Sequence, residues 1–160
     1  MTETIRRAVP EDAADITDMI HALAEFEYAA EQCTVTETQI STALFGSSPT
    51  VHAHVAEVDG AIAAMALWFV NFSTWDGVAG NYLEDLFVRN GFRRRGLARA
   101  LLAALAAECV DNGYTRLSWA VLNWNVDAIA LYDGVGAAPQ RKWTTYRLSG
   151  PSLAELARRP

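Results

Sequence analysis

At 160 residues, 51% hydrophobic and 20% charged, the chain is long enough for one domain with a real core, too short for two ordinary ones and too apolar to stay disordered. Its 13 basic and 19 acidic residues leave a net charge of −6, which disfavours a general nucleic-acid binder and suits a cationic partner. Cys33 and Cys109 are too few and too far apart for a disulfide framework, no Cys/His cluster has metal-ligand spacing, and neither a signal peptide nor an apolar run of ~20 residues is present, so a soluble protein of the reducing cytoplasm is expected.

Residues 4–9 read as a first strand. Pro10-Glu11-Asp12 then opens a helix with residues that a first turn tolerates, and Ile16, Met19, Ile20, Leu23 and Phe26 fall on one face of it. Thr36-Glu37-Thr38-Gln39 is a capping-box pattern that starts a second helix, with Ile40, Ala43 and Leu44 directed inward. Strands at 51–58 and 61–72 flank Asp59-Gly60, a two-residue hairpin signal, and 73–81 is a loop carrying Trp75 and two glycines. The second half is βαβαβ in outline: strand 82–88, helix 97–112 ended by Gly113, strand 116–122, short helix 125–133, and a last strand at 142–148 before a polar tail. No repeat or linker divides the chain, so the expectation is one domain over residues 1–160. Its fold class is α/β, with a mostly antiparallel central sheet, flanking helices, and a locally parallel β-α-β unit where strand 82–88 meets strand 116–122.

The run Arg93-Arg94-Arg95-Gly96-Leu97-Ala98 sits between a strand and a helix start. Such a junction is an anion site, because the first helical amides have no intrahelical partner and the macrodipole places partial positive charge there. Gly96 and Ala98 keep the backbone approachable. About thirty residues on, Asn125-x-x-Ala128-x-x-x-Tyr132 puts Asn125 and Tyr132 roughly on one helical face. Glu84 and Asp85 lie on the strand before the arginine loop, and strict alternation would send their side chains to opposite faces and give them different tasks. His21, His52 and His54 stand in no recognisable catalytic context, and Cys109 reads as core.

The spacing R-x-x-G-x-A resembles the pyrophosphate loop of the GNAT superfamily of acetyl-CoA-dependent N-acetyltransferases. Over nearly the whole chain the wording is similar to the diamine (spermidine/spermine) and thialysine acetyltransferase branch. That likeness is carried by Leu23-Ala-Glu-Phe-Glu-Tyr28, Val55-Ala-Glu-Val58, Tyr82-Leu-Glu-Asp-Leu-Phe-Val88, Trp124-Asn125 and Tyr132 with Gly136-Ala137. The resemblance implies acetyl transfer from acetyl-CoA to a primary amine of a small cationic substrate by direct attack. Glu84 is then on the base side, working through ordered water, and Tyr132 is the acid toward the thiolate. Backbone amides from Arg94 to Ala98, including Leu97, would take the pyrophosphate. The side chains of Arg93, Arg94 or Arg95 would pair with phosphate oxygens, main-chain groups of Phe87 and Val88 with the pantetheine arm, and Asn125 would cap its helix or touch the same arm. Phe26, Glu27, Trp75, Glu84 and Asp85 match the acceptor side, where acids and aromatics hold an ammonium. Ser73 stands where the polyamine enzymes carry an acid and Phe26 replaces a tyrosine, which brings shorter amines and basic amino acids forward. The branch is usually dimeric, so a homodimer is expected, with no nucleic acid, membrane or metal partner. The competing readings are acetylation of a protein, peptide or antibiotic-type amine, an acyl-CoA sensor without turnover, and a nucleic-acid module using the arginine run.

Overall fold

The hairpin signal at Asp59-Gly60 is realised in the backbone: both residues take positive φ, 49° and 84°, the mirror-image turn whose twist matches two antiparallel strands. In this computed structural model, which describes residues 1–159, β2 (His52–Val58) and β3 (Ala61–Ser73) leave that turn in antiparallel register. β1 (Glu3–Arg7) pairs antiparallel with β2, and β4 (Val78–Val88) pairs antiparallel with β3. β5 (Leu117–Ser118) joins β4 in parallel, which completes a five-stranded sheet in the order β1-β2-β3-β4-β5. The mostly antiparallel sheet with one parallel pair is the expected fold class.

One sheet face is covered by α1 (Ala13–Phe26) and α2 (Glu37–Phe45). The capping box that starts α2 forms in both directions, the Gln39 amide donating to Thr36 Oγ1 at 3.3 Å and the Thr36 amide to Gln39 Oε1 at 3.0 Å. Ile16 and Met19 of α1 and Ile40 and Leu44 of α2 bury against Val55, Met65, Leu67 and Phe87, each full burial contributing about 2 kcal/mol before entropy is set against it. Phe26, expected on the same stripe, ends it at 38% exposure, outside that core. α3 (Leu97–Asp111) covers the opposite face through Leu97, Leu101, Leu105 and Cys109. Behind the sheet, buried His54 accepts the Trp68 indole N–H on Nδ1 at 3.1 Å and turns Nε2 toward Glu108 of α3 at 3.5 Å. That is a satisfied core histidine, in keeping with its lack of catalytic context.

Three corrections concern strands. The loop expected at 73–81 is shorter, because β3 runs to Ser73 and β4 begins at its partner Val78. The stretch expected at 116–122 pairs only through Asn81↔Leu117 and Tyr82↔Ser118. Pairing stops where β4 is irregular: Trp68 pairs with Leu83 and Leu67 with Asp85, so Glu84 is an extra residue in a β-bulge that bends β4 away from its neighbour. The strand expected at 142–148 has no regular secondary structure, and Trp143, Tyr146 and Leu148 are 71%, 92% and 46% exposed. These residues belong to a second compact unit that begins at Trp124, the first unit being Met1–Asn123. Among its described residues the second unit holds α4 (Val126–Gly134) and α5 (Gly150–Ala157) and no strand for an extended segment to pair with. Backbone groups left without a ladder partner remain hydrated. Among the described residues no helix is long and apolar enough to cross a membrane.

Candidate active site

β4 organises the site, because it carries the paired acids in its middle and delivers the chain to α3 at its end. Met65 and Leu67 of β3 pack under α1 and α2, so their partners Phe87 and Asp85 share that face. Trp68 lies on the α3 face with His54, and so does its partner Leu83. Unbroken alternation would have kept Leu83 and Asp85 on one face; the bulge at Glu84 sends them to opposite ones. The two acids do differ in their surroundings, through the bulge and not through alternation. Glu84 is exposed at the bulge, while Asp85 is half-buried.

Asp85 lines a cavity of about 580 Å³ between the sheet and the helices, with Ile20, Gln32, Cys33, Gln39 and Leu67 among the other walls. Burial pushes the Asp85 carboxyl up to about 6, and the negative charges of Glu84 and Glu27 push in the same direction. Burial also raises Glu27, the residue after α1. The connection between α1 and α2 joins Asp85 in lining this cavity through Gln32, Cys33 and Thr34. Its only trace in the sequence is that the family-like block 23–28 runs directly into it.

At the far end of β4, Gly96 caps α3 in the left-handed region with φ 81° and no side chain caps the helix. The first-turn amides of Leu97, Ala98 and Arg99 therefore lack intrahelical acceptors and side-chain substitutes alike. A Cβ built on Gly96 would meet nothing within 4 Å, so the approach to these amides is open. The backbone of Arg94 also has positive φ, 62°. Arg93 folds back: its Nε donates to the Val88 carbonyl at 3.2 Å, and its guanidinium lies 5.2 Å over the Phe26 ring and 5.7 Å from that of Phe87. Arg95 sits over Phe92 at 5.6 Å. From Leu83 onward the β5 side of β4 has no strand neighbour among the described residues, so the main chain of Phe87 and Val88 borders a free edge.

Phe26, Glu27, Glu84, Asp85, Phe87 and Arg93 are thus brought together. Trp75 is not: it is 82% exposed at the β3–β4 hairpin tip, roughly 23 Å along the strand from Asp85 at ~3.3 Å per residue. Asn125 and Tyr132 lie in the second unit, at the two ends of α4. Asn125 caps the helix, its Oδ1 accepting from the Ala128 amide at 3.3 Å. Tyr132 is in the last turn, its carbonyl accepting from Ala137 at 3.1 Å.

Residues 17–137 match the acetyltransferase (GNAT) family. The chain belongs to that family. It is 39% identical to the thialysine N-epsilon-acetyltransferase of Caenorhabditis elegans, with 92% of each chain covered, and 32% identical to that of Bos taurus, with 96% of each covered. It is also 29% identical to an L-ornithine N5-acetyltransferase of Arabidopsis thaliana over 98% of this chain and 88% of that one. In fold, this acetyltransferase is similar to an integron cassette protein from the mobile metagenome of V. cholerae, with a TM-score of 0.83, 23% identity and 99% of each chain covered. An aminoglycoside N-acetyltransferase solved in complex with CoA aligns with a TM-score of 0.74 and 16% identity over 92% of this chain and 95% of that one. The protein is an N-acetyltransferase acting on amines, and enzymes of its family use acetyl-CoA.

Proposed function

We propose that this enzyme transfers the acetyl group of acetyl-CoA to a primary amine of a small cationic substrate by direct attack, the substrate being a diamine, a polyamine or a thialysine-like amino acid. The observation that carries this reading is the pairing along one strand of a half-buried, cavity-lining carboxyl at Asp85 with an open helix N-terminus at Gly96. The first attracts an ammonium, the second a phosphate. A cavity with one carboxylate and neutral walls suits a short acceptor better than a long polycation. Thialysine and ornithine in the relatives' names point the same way.

In this reading the amides from Arg94 to Ala98 take the pyrophosphate, with Leu97 opening the helix and Arg94 and Arg95 supplying charge. Arg93 ties the loop to Val88 and Phe26 while adding to the local field. An acetyl donor with an amide-bearing pantetheine arm can lie along the free edge at Phe87 and Val88 in the manner of an added strand; the roles of Asn125 and Tyr132 toward the donor rest on the family resemblance alone. Acetyl-CoA supplies a thioester carbonyl activated toward nucleophiles. The amine nitrogen attacks that carbonyl once it has a lone pair, Glu84 and Asp85 serving the base side and Tyr132 protonating the sulfur. Phe26 and Glu27 border the acceptor beside them. Trp75 can serve the same cavity only from a second copy of the chain, given its place at the hairpin tip, so a homodimer belongs to this reading. The exposed Tyr146, Leu148, Leu153 and Leu156 supply apolar surface for it. A single acetyltransferase domain over residues 1–160 is supported by a family match that crosses the Asn123/Trp124 division. The free thiols Cys33 and Cys109 suit a reducing cytoplasm. An acetyl-CoA-dependent thiol-release screen over short diamines, polyamines, basic amino acids, aminoglycosides and a lysine peptide tests the reading. The highest kcat/KM is expected for the short amines, and a larger value for the peptide or the aminoglycosides overturns it.

A further inference from the structure

We propose, building on the acetyltransfer reading above, that Asp85 is the group that takes the proton from the acceptor ammonium and that Glu84 hands it on to solvent. The two acids are adjacent in sequence but stand in different media. The bulge leaves Glu84 exposed while Asp85, paired with Leu67, faces the 580 Å³ cavity and is the only carboxylate in its wall. Four arginines elsewhere have acid partners: Arg6 with Asp12 and Glu57, Arg7 with Glu108, Arg89 with Asp15 and Asp18, and Arg116 with Asp76. Among the described residues no cation pairs with Asp85 or Glu84. The ionisable groups facing Asp85 are Glu84 of β4, Glu27 at the end of α1 and Cys33 of the α1–α2 connection, whereas β3 and α2 present Leu67, Gln39, Ile40 and Ala43. The missing counter-ion is the substrate's own ammonium.

An ammonium cannot attack until one N–H bond breaks. That proton passes to an Asp85 carboxylate oxygen, and the electron pair stays on nitrogen. The nitrogen forms the C–N bond at the thioester carbonyl and the C–S bond breaks with its electron pair on sulfur. In the proposed function Tyr132 gives sulfur a proton and is reprotonated from solvent, to which the nitrogen loses its second proton. Asp85 passes its proton to exposed Glu84 and then to water, so one proton is released per turnover. A carboxyl pushed up to about 6 accepts a proton about a hundredfold more readily than an ordinary aspartate and still ionises at neutral pH.

The test is kcat/KM against pH with a primary amine that the wild type acetylates and with an O-alkylhydroxylamine, whose nitrogen is already neutral over the range. With the primary amine the wild type should lose activity below a pKa of about 6, and with the hydroxylamine that limb should be missing. In Asp85→Asn, kcat for the primary amine should fall roughly 10²–10⁴-fold while kcat for the hydroxylamine changes less than about threefold. Glu84→Gln should keep the limb and lose about tenfold or less in kcat, as expected of a proton exit. A limb that persists in Asp85→Asn and vanishes in Glu84→Gln overturns the assignment. So does an equal loss for both acceptors, or a rise in KM with kcat unchanged, which would make Asp85 a charge anchor only. Titration of [13C]aspartate-labelled wild-type protein needs no variant, and no aspartate titrating near 6 also overturns it. Wild-type protein that releases no thiol with any amine overturns the acetyltransfer reading itself, which separates the two failures.

Discussion

At the scale of single residues, Gly96 has two separable reasons to be glycine. Its φ of 81° strains any other residue, and its open surroundings let an anion reach the first amides of α3. Gly113 has the same backbone requirement at φ 71°, also with open space, but sits at the far end of α3. Gly96→Ala and Gly113→Ala should therefore each cost about 1 kcal/mol in urea unfolding, whereas only Gly96→Ala should raise the acetyl-CoA dissociation constant in isothermal titration. Equal affinities for the two variants would remove Gly96 from the cofactor site. A valine would compound the strain with β-branching, so it is the less informative replacement. Tyr132→Phe removes a hydroxyl and little volume. Turnover should fall by roughly 10²–10⁴ with acetyl-CoA affinity kept, as for loss of a general acid; kcat within threefold of wild type would make Tyr132 a packing residue. Unlike Glu84→Gln or Asp85→Asn, it should not respond to acceptors with neutral nitrogen.

At the scale of elements, the cavity depends on where α1 begins and ends. Its start is fastened to β1 and β2 by Arg6, which grips buried Asp12 through two hydrogen bonds of 2.7 and 3.0 Å and reaches Glu57 at 3.0 Å. The Val9 amide adds a third donor to Asp12 at 2.8 Å. Burial alone would raise the Asp12 carboxyl, but the Arg6 guanidinium and the Val9 amide outweigh it and hold the group below its ordinary value. A carboxyl lowered in the folded state stabilises fully above its unfolded value of ~3.9 and loses that contribution as pH falls through the lower folded value. Arg6→Ala should thus cost roughly 2–4 kcal/mol at pH 7, since it strands a buried charge, and distinctly less at pH 3, where the unpaired carboxyl is protonated. Urea unfolding at both pH values measures this, and a cost independent of pH would show that Arg6 acts through packing alone. Arg89 serves the same helix further along, bridging Asp15 and Asp18 at 2.8 and 2.7 Å from the end of β4. α1 and the site strand are thereby held in one piece.

For the whole molecule, the proposed dimer is what would bring Trp75 to the acceptor. A lone chain leaves Trp75 at a hairpin tip and several large apolar residues of the second unit in solvent, among them Trp143 at 71% and Tyr146 at 92% exposure. Sedimentation should therefore show a dimer at micromolar concentration. Tyr146→Glu together with Leu148→Glu should shift it to monomer and reduce kcat/KM for the acceptor more than acetyl-CoA affinity. A monomeric wild type would detach Trp75 from the acceptor site.

Local chemistry made much of this protein legible. The Asp59-Gly60 turn, the Thr36 capping box, the Gly113 helix stop and the Gly96 helix start are each decided within a few residues by backbone sterics and hydrogen bonding, and all are found as read. The acids of β4 were legible as residues but not as a geometry. A bulge arises from how two strands and their covering helices share space, and nothing in Leu83-Glu84-Asp85 announces that one residue will fall out of register. The wall of Gln32, Cys33 and Thr34 was silent for a like reason, since polar residues in a connection acquire a role only when packing brings them opposite another element. The segment 142–148 shows the converse: its alternating pattern is that of a strand, but it takes no regular secondary structure, because pattern alone does not supply a pairing partner. Sequence determined the turns, caps, helices and the open helix start at Gly96, because their causes are short-range. Tertiary structure decided which carboxyl lines the cavity, which edge stays open and which arginine folds back, because burial and register depend on elements distant along the chain.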